Sequence, residues 1–202
     1  MVLAVCTGNI CRSPAVERLL AARLGVPFRD PSMSQADLDA TALRTGVVTA
    51  SAGVGAVVGA PVSAPMAALL HAAGADPQRF VARQLTADLV RAAGLVLVLT
   101  RRHRSTVVEL EPAAVRRTFT LRELARLVDD VDPTLLPHGP HTTVADRLRA
   151  LLPLAAARRG MVASDPAMDD VIDPYRGSSA LYRQSFDELE PAVDRLAALV
   201  SD

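Results

Sequence analysis

Residues 2–20 read VLAVCTGNICRSPAVERLL, and the fold turns on how the residues from Cys6 to Arg12 are taken. Before them, Val2 to Val5 is an apolar run of strand length. After them, Pro14 to Leu24 carries its leucines on one helical face. Ser13 is expected as the helix N-cap with Pro14 at N1, where a missing N–H leaves no bond unmade. Cys6 to Arg12 is then a strand-to-helix turn aimed at the positive end of a helix. Such turns collect anions on their backbone N–H groups.

Working outward, the rest of the chain alternates. GVVTASAG (Gly46 to Gly53) reads as a strand ending in a glycine turn, and APMAALLHAAG (Ala64 to Gly74) as a helix closed by glycine. LTADLVRAA (Leu85 to Ala93) is a short helix with Thr86 as N-cap, and GLVLVLT (Gly94 to Thr100) is a continuous apolar run of the kind buried on both faces. Arg101 to Leu110 is expected to be helical, RRTFTL (Arg116 to Leu121) to be a fourth strand, and LRELARLV a helix after it. A last amphipathic helix spans about Ser178 to Val200. Strands alternating with helices predict an α/β fold with a doubly wound, four-stranded parallel sheet flanked by helices. Ligands of such sheets bind at the carboxyl ends of the strands, where the Cys6 turn lies.

Composition narrows the function. At 202 residues the chain fits one domain, 1–202, with length enough for a core. There is no lysine, so all 22 basic residues are arginine, and 22 acidic residues balance them. No field of one sign points to nucleic acid or an anionic membrane as partner. No apolar run is long enough to span a bilayer and the first residues do not resemble a signal peptide, so a cytoplasmic protein is expected. The two cysteines, Cys6 and Cys11, share one turn, which is no secreted disulfide framework. The sequence sets no oligomeric state.

A cysteine six residues before an arginine, with the backbone between them wrapped around a helix N-terminus, makes a cradle for a tetrahedral oxyanion. N–H groups from Thr7 to Arg12 are expected to point inward, and the Arg12 guanidinium to grip two oxygens. Cys6 lies below the centre of that cradle, where the dipoles and Arg12 favour the thiolate, and a thiolate facing a bound phosphate is a nucleophile for phosphoryl transfer. Gly8 is expected to permit the tight turn, and Asn9 to fix the loop through a bond to its own backbone or a neighbour.

VCTGNICRSP resembles the signature loop of the low-molecular-weight protein tyrosine phosphatases. The resemblance continues through SAGVGA from Ser51, ARQLT from Ala82, LVLVLT from Leu95, DDVIDPY from Asp169 to Tyr175, and YRQSFDELEPAV from Tyr182. It leaves out Phe28 to Thr45 and Pro133 to Pro166. It implies a phosphatase I-like fold and a metal-free reaction through a cysteinyl-phosphate, with no cofactor. On it, Cys6 is the nucleophile and Arg12 the phosphate clamp. Asp173 is the general acid for the leaving oxygen and later the base for water. Ser13 bonds Cys6, and Tyr175 forms one wall of the substrate cleft. Thr7, Gly8, Asn9, Ile10 and Cys11 complete the substrate-binding loop. The substrate is then a phosphorylated protein or a small aryl phosphate. Arsenate reductase is the neighbouring activity on this fold, but its disulfide relay needs cysteines beyond Cys6 and Cys11. The third alternative is a catalytically weak, phosphate-binding regulatory module.

Two positions depart from the family. Where a histidine often orders the loop asparagine, this chain has Phe80, so Asn9 needs another partner. The loop VGAVVGAPVS after Gly53 has no aromatic second wall, leaving Val57 or Val58 opposite Tyr175. Ile10 stands where related phosphoarginine phosphatases carry a small polar residue, and its branched side chain favours an aryl oxygen. Cys11 is expected to capture an oxidised Cys6, making the enzyme redox-sensitive. Asp129, Asp130, Asp169 and Asp170 read as solvated carboxylates, His138 and His141 as loop residues rather than metal ligands, and TRRHR (Thr100 to Arg104) as a solvated helix start. Within the unmatched segment, about 133–166, Thr143 is an N-cap and Val144, Leu148, Leu151 and Leu152 form one apolar face. That helical insertion precedes the general-acid loop. It is expected to bend or end near Pro153 and to cap the cleft.

Overall fold

The computed structural model describes residues 1–30, 32–34, 36–37, 40–41, 46–161 and 166–201. Its sheet has four strands, β1 (Val2–Cys6), β2 (Thr49–Gly53), β3 (Leu95–Val98) and β4 (Thr118–Thr120), in the order β2-β1-β3-β4. Every neighbouring pair is parallel, and the register sets Cys6 beside Gly53 and Val5 beside Val98. All strand residues are buried, as expected of a sheet covered on both faces. Because side chains alternate along a strand, two cores result. Ala4, Cys6, Leu95, Leu97 and Phe119 face one, while Leu3, Val5, Val96 and Val98 face the other.

Seven α-helices surround the sheet among the described residues: α1 (Arg12–Leu24), α2 (Ala64–Ala72), α3 (Ala87–Ala92), α4 (Arg101–Leu110), α5 (Leu121–Asp129), α6 (Val144–Arg158) and α7 (Ser179–Val200). The first core is closed by α1, α5 and α7 through Leu19, Leu124 and Phe186, and the second by α3 and α4 through Val90 and Val107. Thr86 caps its helix as the sequence predicts, and threonine and serine caps also start helices for which the sequence reading named none. Thr86 accepts from the Leu89 N–H, Thr100 from that of His103 and Ser178 from that of Leu181, while Thr120 and Glu123 form a capping box.

Three local expectations are corrected. Ser13 is not the N-cap of α1, since Cys11 holds that position and offers no side-chain cap. The Ser13 hydroxyl is engaged by the turn instead, which is the stronger use of a buried donor and acceptor. Pro153 does not end α6, which runs on to Arg158. The proline removes one N–H, while Leu148, Leu151 and Ala155, buried on both sides of it, keep the segment seated. The third correction concerns where α6 lies. Thr143 and Asp146 cap it, and Arg147 anchors it through the carbonyls of Pro137 and Leu199. Ala145, Leu148 and Leu152 then line a hollow with Met1, Val2, Gly94 and Leu95, at the amino ends of β1 and β3. That is the end of the sheet opposite the Cys6 turn, so α6 is no cap on the cleft. Its apolar face finds α5 and α7, which offer more apolar surface than the polar rim of a cleft. Ala167 and Met168, just beyond the insertion, do line the cleft, and residues 162–165 lie outside the described residues.

Candidate functional site

The turn after β1 is shaped by bonds to its carbonyls. Those of Cys6, Thr7, Gly8 and Ile10 accept from the N–H groups of Val54, Gly55, Val57 and Ser63, and that of Cys11 accepts from Ala15 inside α1. In a trans peptide the next N–H points opposite to the carbonyl. The N–H groups of Thr7, Gly8, Asn9 and Cys11 are therefore turned away from the Val54–Ser63 segment, to the other side of the loop, while that of Arg12 points out of the N-terminus of α1. This is the donor array that the sequence reading expects for an oxyanion.

The left-handed residue of the turn is Asn9, with φ of 54°, and not Gly8. A side chain at Gly8 would meet Ile10 and Val57 only at ordinary contact distance. The glycine that close packing demands is Gly53, where a Cβ would collide with the Thr7 carbonyl and with Asn9. Sequence reasoning assigned Gly53 only to a turn. The pairing of β1 with β2 is what brings it under the loop.

Asn9 is buried and finds partners in the absence of a histidine at position 80. Its Nδ2 donates to Ser13 Oγ (3.0 Å) and Ser51 Oγ (2.9 Å), and its Oδ1 accepts from the Arg83 N–H (2.8 Å). Arg83 is delivered by a short pairing of 83–85 with Gly53. Ser13 Oγ lies 2.9 Å from Cys6 Sγ, and the Ser51 hydroxyl donates to Glu17 Oε2 (2.5 Å). A continuous chain thus runs from the Cys6 sulfur through Ser13, Asn9 and Ser51 to Glu17. Burial pushes the Glu17 carboxyl up, against the opposing pull of Arg18 and the Ser51 hydroxyl. Arg18 lies 3.5 Å from the Phe28 ring centroid and 5.6 Å from that of Phe80, so the residue in place of histidine packs a buried guanidinium.

Arg12 and Asp173 meet across the cleft. Arg12 NH1 donates to the Val171 carbonyl (3.0 Å) and NH2 lies 2.5 Å from Asp173 Oδ2, while the buried Nε has no partner among the described residues. A buried, unpartnered N–H on a guanidinium that already faces a carboxylate fits an anion as the missing acceptor. The Asp173 side chain itself is 49% exposed.

The loop before Asp173 is strapped at nearly every residue, which corrects the reading of Asp169 and Asp170 as solvated. Asp169 pairs with Arg126 (3.0 Å), and Asp170 accepts from the Arg101 N–H at the start of α4 (2.7 Å). The Val171 N–H donates to the Leu99 carbonyl, the Ile172 N–H donates to Glu188, and the Ser185 hydroxyl donates to the Ile172 carbonyl. Asp173 Oδ1 accepts from the Tyr175 N–H (3.2 Å), a local Asx turn that sets Tyr175 on the rim, exposed and beside Arg176. Opposite, Val57 lies against Gly8 and Val58 is exposed. Cys11 is buried, with Ser63 Oγ at 3.2 Å and Tyr182 Oη at 3.6 Å, and burial pushes its thiol up.

His103 is the site residue that sequence reasoning missed. It is not part of a solvated helix start but is buried, with Nε2 2.9 Å from Thr7 Oγ1. The available signal was topological: in a sheet where β3 neighbours β1, the helix start after β3 adjoins the Cys6 turn. Thr7, Arg12, Thr100, His103, Asp170 and Asp173 line one cleft. Among the described residues no group of three or more His, Cys, Asp or Glu side chains could hold a metal ion.

The chain matches the family model described as low molecular weight phosphotyrosine protein phosphatase over residues 31–152, a stretch between the Cys6 turn and Asp173. It is 33% identical over 132 residues to the Erwinia amylovora protein named "Probable low molecular weight protein-tyrosine-phosphatase AmsI", covering 65% of this chain and 78% of that one. It is 28% identical over 198 residues to a protein-arginine-phosphatase of Geobacillus stearothermophilus, covering 97% and 93%. Among solved structures it resembles the tyrosine phosphatase Wzb of Escherichia coli K30 in complex with sulphate, with a TM-score of 0.63 at 22% identity over 99% and 97% of the two chains. With a family model matched over more than half its length, and with the parallel sheet and N-terminal cysteine turn in place, this chain belongs to the low molecular weight phosphotyrosine protein phosphatase family.

Proposed function

We propose that the protein hydrolyses phosphate monoesters of protein tyrosine, or small aryl phosphates, through a cysteinyl-phosphate. The observation that carries this reading is the Arg12 guanidinium, with one buried N–H unpartnered and another on Asp173, standing over a turn in which the N–H groups of Thr7, Gly8, Asn9 and Cys11 are turned to one side. An arriving phosphate takes over Arg12's donors and releases Asp173 to the leaving oxygen. The Cys6 thiolate attacks phosphorus, the P–O bond breaks, and the leaving oxygen takes the proton of Asp173. Water then attacks phosphorus and gives its proton to Asp173, and the S–P bond breaks. The Ser13 O–H, 2.9 Å from Sγ, supports the returning thiolate. Thr7, Gly8, Asn9, Cys11 and Arg12 supply the N–H cradle, with Ile10 and Tyr175 bordering the substrate. Hydrolysis of a chromogenic aryl phosphate in chelator, blocked by vanadate, tests the reading. Absence of turnover overturns it.

One observation favours a second substrate. One relative that covers almost the whole chain is a protein-arginine-phosphatase. Ile10, apolar and packed beside the core, favours the aryl ester. Comparing kcat/KM on phosphotyrosine and phosphoarginine peptides decides between them, and the preference is expected to shift towards phosphoarginine in Ile10→Thr. We further read the protein as cytoplasmic and redox-sensitive. Peroxide would convert Cys6 to a sulfenic acid, which condenses with the Cys11 thiol to a disulfide and water.

A further inference from the structure

The reaction above makes no use of His103, yet this buried histidine reaches the turn through the Thr7 hydroxyl. It sits at the third position of α4, 4% exposed, with both ring nitrogens occupied. Nε2 lies 2.9 Å from Thr7 Oγ1 and Nδ1 lies 2.9 Å from Thr100 Oγ1, while Thr100 Oγ1 also accepts from the backbone N–H of His103 (3.2 Å). A neutral imidazole has one N–H and one lone pair, so one threonine hydroxyl must donate to the ring and the other must accept from it. Burial and the nearby Arg12 charge keep the ring neutral, with its pKa lowered to about 4.

Two arrangements satisfy the bonds. In one, the Thr7 hydroxyl donates to Nε2 and turns only lone pairs to the cleft. In the other, Thr100 donates to Nδ1, Nε2–H donates to Thr7 Oγ1, and the Thr7 O–H is left free to donate. Thr7 is exposed on the cleft wall beside Arg12 and Asp173, so an anion held there selects the second arrangement, because lone pairs facing a phosphoryl oxygen repel it.

We propose that His103 is a positioning residue that fixes the Thr7 hydroxyl as a hydrogen-bond donor to the bound phosphoryl group. The proposal rests on the phosphatase reading for the identity of its ligand. It adds a donor from a side chain to the backbone cradle, and it assigns a role to the start of α4.

The test is the affinity for inorganic phosphate, measured directly by titration calorimetry on the full chain and its variants. Thr7→Val keeps the shape of an exposed side chain and removes the hydroxyl, and His103→Leu removes the ring nitrogens. Each is expected to weaken phosphate binding about tenfold, and the double variant to weaken it no further, because both delete the same bond. His103→Gln, whose amide N–H reaches towards the place of Nε2–H, is expected to recover most of the loss, which a merely structural role would not allow. Unchanged phosphate affinity in Thr7→Val, losses that multiply in the double variant, or no recovery in a natively melting His103→Gln would each overturn the proposal. Turnover of an aryl phosphate by the unmodified protein is scored separately. Its failure would sink the phosphatase reading while leaving the phosphate affinities to decide this one.

Discussion

On the Cys6 side of the cleft the polar groups are buried and held by side chains, whereas on the Asp173 side they are half exposed and held largely through the backbone. Ser13, Asn9, Ser51 and Glu17 are all fully enclosed, each bonded to the next. Val171 and Ile172 are held through their peptide groups by Leu99, Arg12, Glu188 and Ser185. The difference teaches where tolerance lies. A buried network loses more than one bond when a member is removed, because its neighbours are left unsatisfied. An exposed strap has water to replace the bond. The nucleophile side should therefore couple activity to stability, and the acid side should not.

The largest effect expected is that of Cys6→Ser, which removes turnover by at least about a thousandfold while leaving inorganic phosphate or vanadate bound. Residual activity above that level, measured on an aryl phosphate, would deny Cys6 its role. Asp173→Asn comes next, with a loss of roughly 10²- to 10⁴-fold for esters with poor leaving groups and far less for good ones. An equal loss across the leaving-group series would mean that Asp173 gives no proton. Asn9→Ala strikes the buried side directly. It deletes three side-chain bonds at a residue with φ of 54° and should cost about 3 kcal/mol of stability together with a large fall in kcat/KM. Glu188→Ala removes the acceptor of the exposed Ile172 N–H on the other side and should change kcat/KM a few-fold with stability almost intact. Similar losses of stability in the two variants, read by denaturant titration, would erase the contrast between the walls.

A further effect is expected in acid. The pKa of His103 is about 4 in the folded protein against an ordinary 6.5, with burial the main cause and Arg12 the next. Between those values the unfolded chain binds the proton and the native protein does not, so stability rises with pH there. It is fully present above about 6.5 and is lost as pH falls towards 4, by at most about 1.4 kcal/mol per pH unit. His103→Gln should flatten this part of the stability profile, and an unchanged slope would show that the ring is not held neutral.

What the sequence by itself determined is local in origin. The strand, turn and helix of residues 2–24, the apolar run at Leu95 and the caps Thr86 and Thr143 follow from periodicity and from residue chemistry a few positions apart. The motif around Cys6 carried Cys6, Arg12 and Ser13 together because they share one turn. Only the tertiary structure decided what depends on which elements become neighbours. β2 beside β1 made Gly53 the glycine that cannot be filled and gave Ser51 to Asn9. β3 beside β1 buried His103 against Thr7, although its sequence neighbourhood, three arginines in TRRHR, reads as solvated. Likewise α6 was visible as an amphipathic helix, but an apolar stripe states only that something must cover it. The choice of the far end of the sheet, against α5 and α7, was made by the surface available there.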